Sequence, residues 1–193
     1  GVSLMTSTTE VLSMLLDQNG DLLFSSGTVY RVPAAGGNPQ LVFAGSQHPD
    51  IAATPYDRFW ALAFDRDRHL LVGGFGVIRI APGADGLVDG SPDETFTRVG
   101  GVTGAGLANY SQPFSGDGRF ATESKIILTY QMIVAADGAV VFTDQNHRVR
   151  RIDPGPDGLV NGDDEEIITT IAGYYSSSDA GPSPFATSEY GDF

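Results

Sequence analysis

The residues of this chain best suited to chemistry are carboxylates gathered in two glycine-bent runs. The first run holds Asp85, Asp89, Asp93 and Glu94, the second Asp157, Asn161, Asp163, Asp164, Glu165 and Glu166, and neither contains a basic residue. Oxygen donors alternating with backbone carbonyls in a tight loop suit a hard cation such as calcium, which takes about six to eight oxygen ligands. Asp85, Asp89, Asp93, Glu94, Asp157, Asn161, Asp163 and Glu166 are therefore the candidate metal ligands. Their spacing departs from the EF-hand loop. A solvated acidic hairpin that keeps an edge strand soluble and unpaired is the competing reading.

Other chemistries find less support. The three histidines are scattered, His48 in a linker, His69 beside a turn and His147 in the Asn-x-Arg strand. With no cysteine, disulfides, thiolate metal sites, thiol nucleophiles and covalent haem attachment are excluded. No Gly-x-Ser-x-Gly elbow is present, and Gly116-Asp117-Gly118 is followed by no helix pattern whose N-terminus would hold a phosphate. No catalytic residue is assigned, and calcium is the only cofactor the residues suggest.

The bulk numbers narrow the partners. In 193 residues, 41% apolar and 18% charged, there is material for a substantial core. Against 24 Asp and Glu stand only 11 Lys and Arg, and the net charge of −13 repels a phosphate backbone, so nucleic acid is not an expected partner. No apolar run approaches the roughly 20 residues of a transmembrane helix, so membrane insertion is not expected. The start, Gly1-Val2-Ser3-Leu4-Met5, reads as a processed or trimmed end.

The elements that must position these residues recur. Second strands are Leu22-Leu23-Phe24, Leu70-Leu71-Val72 and Val140-Val141-Phe142; third strands are Val29-Tyr30-Arg31-Val32, Val77-Ile78-Arg79-Ile80 and Val149-Arg150-Arg151-Ile152. Fourth strands are Leu41-Val42-Phe43-Ala44-Gly45, Thr97-Arg98-Val99-Gly100-Gly101 and Thr169-Thr170-Ile171-Ala172-Gly173. Repetition at this period marks a repeat architecture. Short strands broken by Asp-Gly, Asn-Gly and Pro-Gly predict antiparallel meanders of four strands, in the third repeat near 128–134, 139–143, 148–152 and 167–171. Asn19-Gly20 and Asp137-Gly138 suggest two-residue type I′ turns, and Asp67-Arg68 in their place suggests a different turn in the middle repeat. Arg31, Arg79 and Arg151 recur at one strand position, where each is expected to hold a neighbour's carbonyls or an acidic side chain. Aromatic residues of the linkers, among them Phe59, Trp60, Phe120 and Phe185, read as wedges between repeats, and the linker tyrosines equally as wedges or a recognition surface.

A single four-stranded sheet leaves both faces bare, so repeated sheets bury one another by stacking. The run Phe114-Ser115-Gly116-Asp117-Gly118-Arg119-Phe120-Ala121-Thr122, with Asp137-Gly138, a strand ending in Asp144, and Asn146-His147-Arg148-Val149, resembles the NHL-repeat β-propeller pattern. The resemblance implies an all-β propeller of four-stranded antiparallel blades near 11–45, 58–101 and 126–173. Residues 174–193 then lead into the next repeat, and the whole 1–193 is one segment of a roughly six-bladed ring. It implies a non-catalytic module that binds a protein or glycan, or a scaffold, in a larger extracellular, periplasmic or cell-surface protein. Two alternatives stay open: a divalent-cation-dependent enzyme of the lactonase or lyase kind, and a structural subunit assembling with itself into rings or filaments. Asp144, Asn146 and His147 are the candidate residues of a ligand-binding face.

Overall fold

The computed structural model describes residues 10–48, 59–102, 116–145, 147–162 and 165–173. They form an all-β structure of three antiparallel sheets, built from thirteen strands. The first sheet is a meander of β1 (Ser13–Leu16), β2 (Leu22–Ser25), β3 (Val29–Val32) and β4 (Gln40–Phe43). The second repeats it with β5 (Ala61–Phe64), β6 (Leu70–Gly74), β7 (Gly76–Ala81) and β8 (Thr95–Gly100). The third uses β10 (Thr129–Val134), β11 (Val140–Asp144), β12 (Arg148–Ile152) and β13 (Ile167–Gly173), with the two-residue β9 (Arg119–Phe120) paired outside β13. No helix among the described residues is long and apolar enough to cross a membrane.

The three β1-to-β2-type turns are all alike. In each, the closing residues are bonded, Asp17 N–H to Asp21 C=O (3.0 Å), Asp65 to His69 (3.0 Å) and Ala135 to Ala139 (2.8 Å). Three residues lie between them, and the last has positive φ: Gly20 at 80°, Arg68 at 67° and Gly138 at 96°. This is the three-residue hairpin loop with a bulged left-handed residue, so the expected two-residue type I′ turn is corrected. Arg68 adopts the glycine conformation, so the middle repeat does not depart from the others. An Asp carboxylate supports the turn in the first two sheets: Asp17 Oδ1 accepts the Asn19 and Asp21 amides (2.8 and 2.9 Å), and Asp65 Oδ1 accepts the His69 amide (2.8 Å).

The sheets pack face to face in chain order. Because side chains alternate across a strand, each sheet has a front face carrying Arg31, Arg79 or Arg151 and a back face without it. The front of the first sheet (Leu15, Leu23, Val29, Phe43) meets the back of the second (Leu62, Leu70, Val72, Ile78, Ile80). The front of the second (Ala61, Leu71, Val77, Val99) meets the back of the third (Met132, Val140, Phe142, Ile152, Ile168) in the same way. At one point the backbone of the second sheet lies so near a side chain of the third that only glycine serves. A Cβ on Gly73 would lie 2.7 Å from the Thr129 methyl of β10.

Candidate functional site

The two acidic excursions, residues 82–94 and 153–166, share one internal structure. Each opens with a turn of the type just described, closed by Gly83 N–H to Leu87 C=O (3.1 Å) or Gly155 N–H to Leu159 C=O (2.9 Å), with Gly86 and Gly158 at positive φ. Asp85 Oδ1 accepts the Leu87 amide (2.9 Å) and Asp157 Oδ1 the Leu159 amide (2.8 Å). Further along, one glutamate folds back and binds two successive amides. Glu94 Oε1 accepts from Asp89 (2.5 Å) and Gly90 (2.8 Å); Glu166 Oε1 accepts from Asn161 (2.8 Å) and Gly162 (2.7 Å).

Both glutamates are buried. Burial pushes the Glu94 carboxyl above its usual range against the opposing pull of the two amides. The exposed Asp93 is held below its usual range, chiefly by the Ala84 amide it accepts at 2.7 Å.

The excursions lie against the preceding sheet. Val88 is buried with Leu23 and Val42 of the first sheet, and Val160 with Leu71 and Val99 of the second. Gly90 rests on the Leu41 carbonyl, where a Cβ would also come 3.2 Å from Val42 Cα. Gly162 rests on β8, where a Cβ would be 2.8 Å from the Arg98 carbonyl. Asp89 reaches across as well, its Oδ2 lying 3.8 Å from Arg31 Nη1. Each excursion is thus a latch, with a valine plug, a glycine seat and a glutamate that fixes the loop between them.

The candidate cation ligands consequently have separate tasks. Asp157 Oδ2 accepts from the Asn161 side chain (2.7 Å), and Asp89 Oδ1 accepts from the Ser91 amide (3.0 Å). Asp163 lies outside the described residues. Among the described residues, no three His, Asp or Glu side chains gather as a metal ion would need.

The recurrent arginines are held by carboxylates, mostly of their own sheet. Arg31 pairs with Asp21 and lies 3.9 Å from Asp17; Arg79 Nε meets Asp65 Oδ2 at 2.7 Å; Arg151 meets Asp153 and Asp137, each at 2.6 Å. Arg31 is buried, whereas Arg151 is half-buried and bonds the exposed Asp137 and the half-buried Asp153. The Asp137 contact, followed by that of Asp153, raises the Arg151 guanidinium above its usual value. His69 Nδ1 is 3.4 Å from Asp65, yet burial, followed by repulsion from Arg79, leaves the imidazole below its usual value.

Each gap between sheets also contains a guanidinium at one register position. Ile78 is paired with Arg98, and Arg150 with Thr170. Arg150 is fully buried; it donates to the Lys125 carbonyl (2.8 Å) and to Asp117 (3.3 Å), which also accepts from the Thr170 hydroxyl (3.1 Å). Asp117 of the Gly-Asp-Gly run is therefore an ion-pair partner inside a strap that continues into β9. Removing one member of such a buried cluster typically costs about 3–5 kcal/mol. Arg98 donates at 3.4 and 3.5 Å to the Phe75 and Gly100 carbonyls, and burial lowers it to about 10, so it stays charged at neutral pH. The sequence reading took Asp117 only as part of the Gly-Asp-Gly run and did not single out Arg98 or Arg150, for which a charge inside a strand run was the available signal.

Of the ligand-face candidates, Asp144 is buried at the end of β11, with Oδ1 at 3.4 Å from the Ile127 amide and Oδ2 at 3.7 Å from Arg150 Nη1. His147 is exposed and left-handed, with φ 58°. Asn146 lies outside the described residues. Asp144 thus faces inward and His147 belongs to the turn surface. No family model matches the chain, and no curated protein matches it.

Proposed function

We propose that the three sheets are consecutive blades of a β-propeller of the NHL type, and that it serves as a non-catalytic binding or scaffold module of a larger extracellular or cell-surface protein. The carrying observation is the front-to-back stacking of the sheets, repeated with the same latch in both gaps. Propellers close with about four to eight such sheets and offer two loop-covered ends to partners. Here one end presents the β2–β3-type turns, including exposed Gln145 and His147. The partner is a protein or glycan.

The candidate-site carboxylates among the described residues are engaged in turns, latches and ion pairs, and this favours binding over the cation-dependent lactonase or lyase alternative. The test is electron microscopy of the protein in its longest natural form, with glycan and peptide arrays probed in parallel. A closed ring, and array binding weakened by Gln145→Ala and His147→Ala, is expected. An open solenoid overturns the propeller. Chelator-sensitive lactone hydrolysis or lyase turnover replaces the binding module with the enzyme.

A further inference from the structure

Among the described residues, the front face of the third sheet is more open than those of its predecessors, although its residues are of the kind that they bury. Val42 and Val99, the bulged residues of β4 and β8, are 4% and 0% exposed, whereas their counterpart Ile171 is 43% exposed. Val29 and Val77 are fully buried, and their counterpart Val149 is half-buried. Leu23 and Leu71 correspond to half-buried Val141, and beside it Ile133 is 63% exposed. Two exposed and two half-buried apolar residues therefore lie in the pattern that receives a neighbouring sheet elsewhere in the molecule, with Arg151 at its rim.

We infer that this face is the seat of a further sheet carrying its own latch, with a valine plug, a glycine on the β13 backbone and an Asp or Asn opposite Arg151. The inference deepens the propeller reading and rests on it for the existence of a further repeat. Three observations choose this occupant over a second copy of the chain. Both gaps present have a latch entering from the later sheet. In the first gap the latch brings Asp89 to 3.8 Å from Arg31, and Arg31 is the counterpart of Arg151. The first sheet of a second copy would offer an uncovered back face (Met14, Leu16, Leu41), but its β3–β4 connection is only residues 33–39 and contains no acid. It therefore has no glutamate to fix a latch loop.

The absence of native cysteine makes a direct test available. Ile171→Cys is introduced into the full chain and its thiol labelling rate measured, with Val99→Cys as the covered reference. The same variant is then extended after Gly173 by a tandem duplicate of residues 102–173, with the reporter kept in the original copy. Rapid labelling in the unextended monomer is expected, with about 100-fold protection on extension. That protection should be lost when the duplicate carries the changes corresponding to Gly162→Val and Glu166→Gln. Slow labelling of the unextended chain, at a native mass that is a multiple of its own, would assign the face to a second copy and overturn the inference. An extended chain that labels as fast as the unextended one overturns the seat, and protection that survives both latch changes overturns the latch. A closed ring by electron microscopy with either of these last outcomes leaves the propeller standing while the inference falls.

Discussion

The connection between the third and fourth strands is built in two ways within one molecule. In the first sheet it is residues 33–39, turned by Gly36 N–H to Pro33 C=O (2.8 Å) and tied down where the Ala34 amide meets Asp21 (2.5 Å). In the second and third sheets it is a long acidic loop that reaches the sheet before it. The difference teaches that the glutamate of each long loop serves its own backbone. A reaching loop must satisfy amides taken out of water, and a carboxylate that accepts two of them does so with charge-assisted hydrogen bonds.

The sharpest way to break the comparison is to put a methyl group at the glycine seats. Gly90→Ala meets the Leu41 carbonyl at a φ of 89°, and should lower unfolding stability by about 3 kcal/mol or more in urea titrations. Gly36→Ala shares the left-handed strain at 85° but finds open space, and should lose about 1 kcal/mol. Equal losses would mean that the loop does not bear on the preceding sheet.

Next comes the plug. Val88→Ala should cost about 2 kcal/mol by the same titration, because the space it leaves lies between two sheets. A loss within error would place the valine outside the cooperative core.

Glu94→Gln should cost about 1–2 kcal/mol near neutral pH, since the Gln amide nitrogen takes the place of Oε2, a buried atom with no hydrogen-bond partner among the described residues, and becomes an unsatisfied donor. It should also change the pH profile. The Glu94 carboxyl is raised above its ordinary value of 4.5 by burial, so as pH climbs from there through the folded-state midpoint the unfolded chain has already released its proton. Glu94 therefore contributes a fall in stability across that window. The difference between parent and Gln variant, followed by thermal melts, should show this fall and no second step at lower pH.

Calcium provides the smallest expected effect. A real site at 100 times its dissociation constant would add about 2.7 kcal/mol; latches already closed by glutamate should gain only a few tenths, as generic screening does. A large rise in melting temperature abolished by Asp85→Asn or Asp157→Asn would restore the loops to cation binding.

The strands were readable from the sequence because runs such as Leu70-Leu71-Val72 and Val77-Ile78-Arg79-Ile80 put apolar residues on both faces of a sheet covered on both sides. The third repeat, expected near 128–134, 139–143, 148–152 and 167–171, has strands within two residues of those bounds. What escaped depends on contacts made at a distance. β9 is two exposed residues whose strand pairing is with β13, far along the chain, and it is therefore silent in local propensity. Arg68 takes a glycine conformation because its turn is set by the flanking pair, which outweighs the local cost. Glu94 and Glu166 stand in a row of acids, and nothing in a linear spacing reveals that one oxygen of each accepts two amides of its own loop.

The latches all point backwards along the chain, from a later sheet onto an earlier outer strand. During synthesis the N-terminal part of a protein emerges first, so β4 is complete before residues 82–94 leave the ribosome to rest on it, and β8 before residues 153–166 do. Each addition closes on a surface already in place. Assembly thus runs in the direction of translation, and shortening the chain from its C-terminal side removes sheets together with the latches they carry.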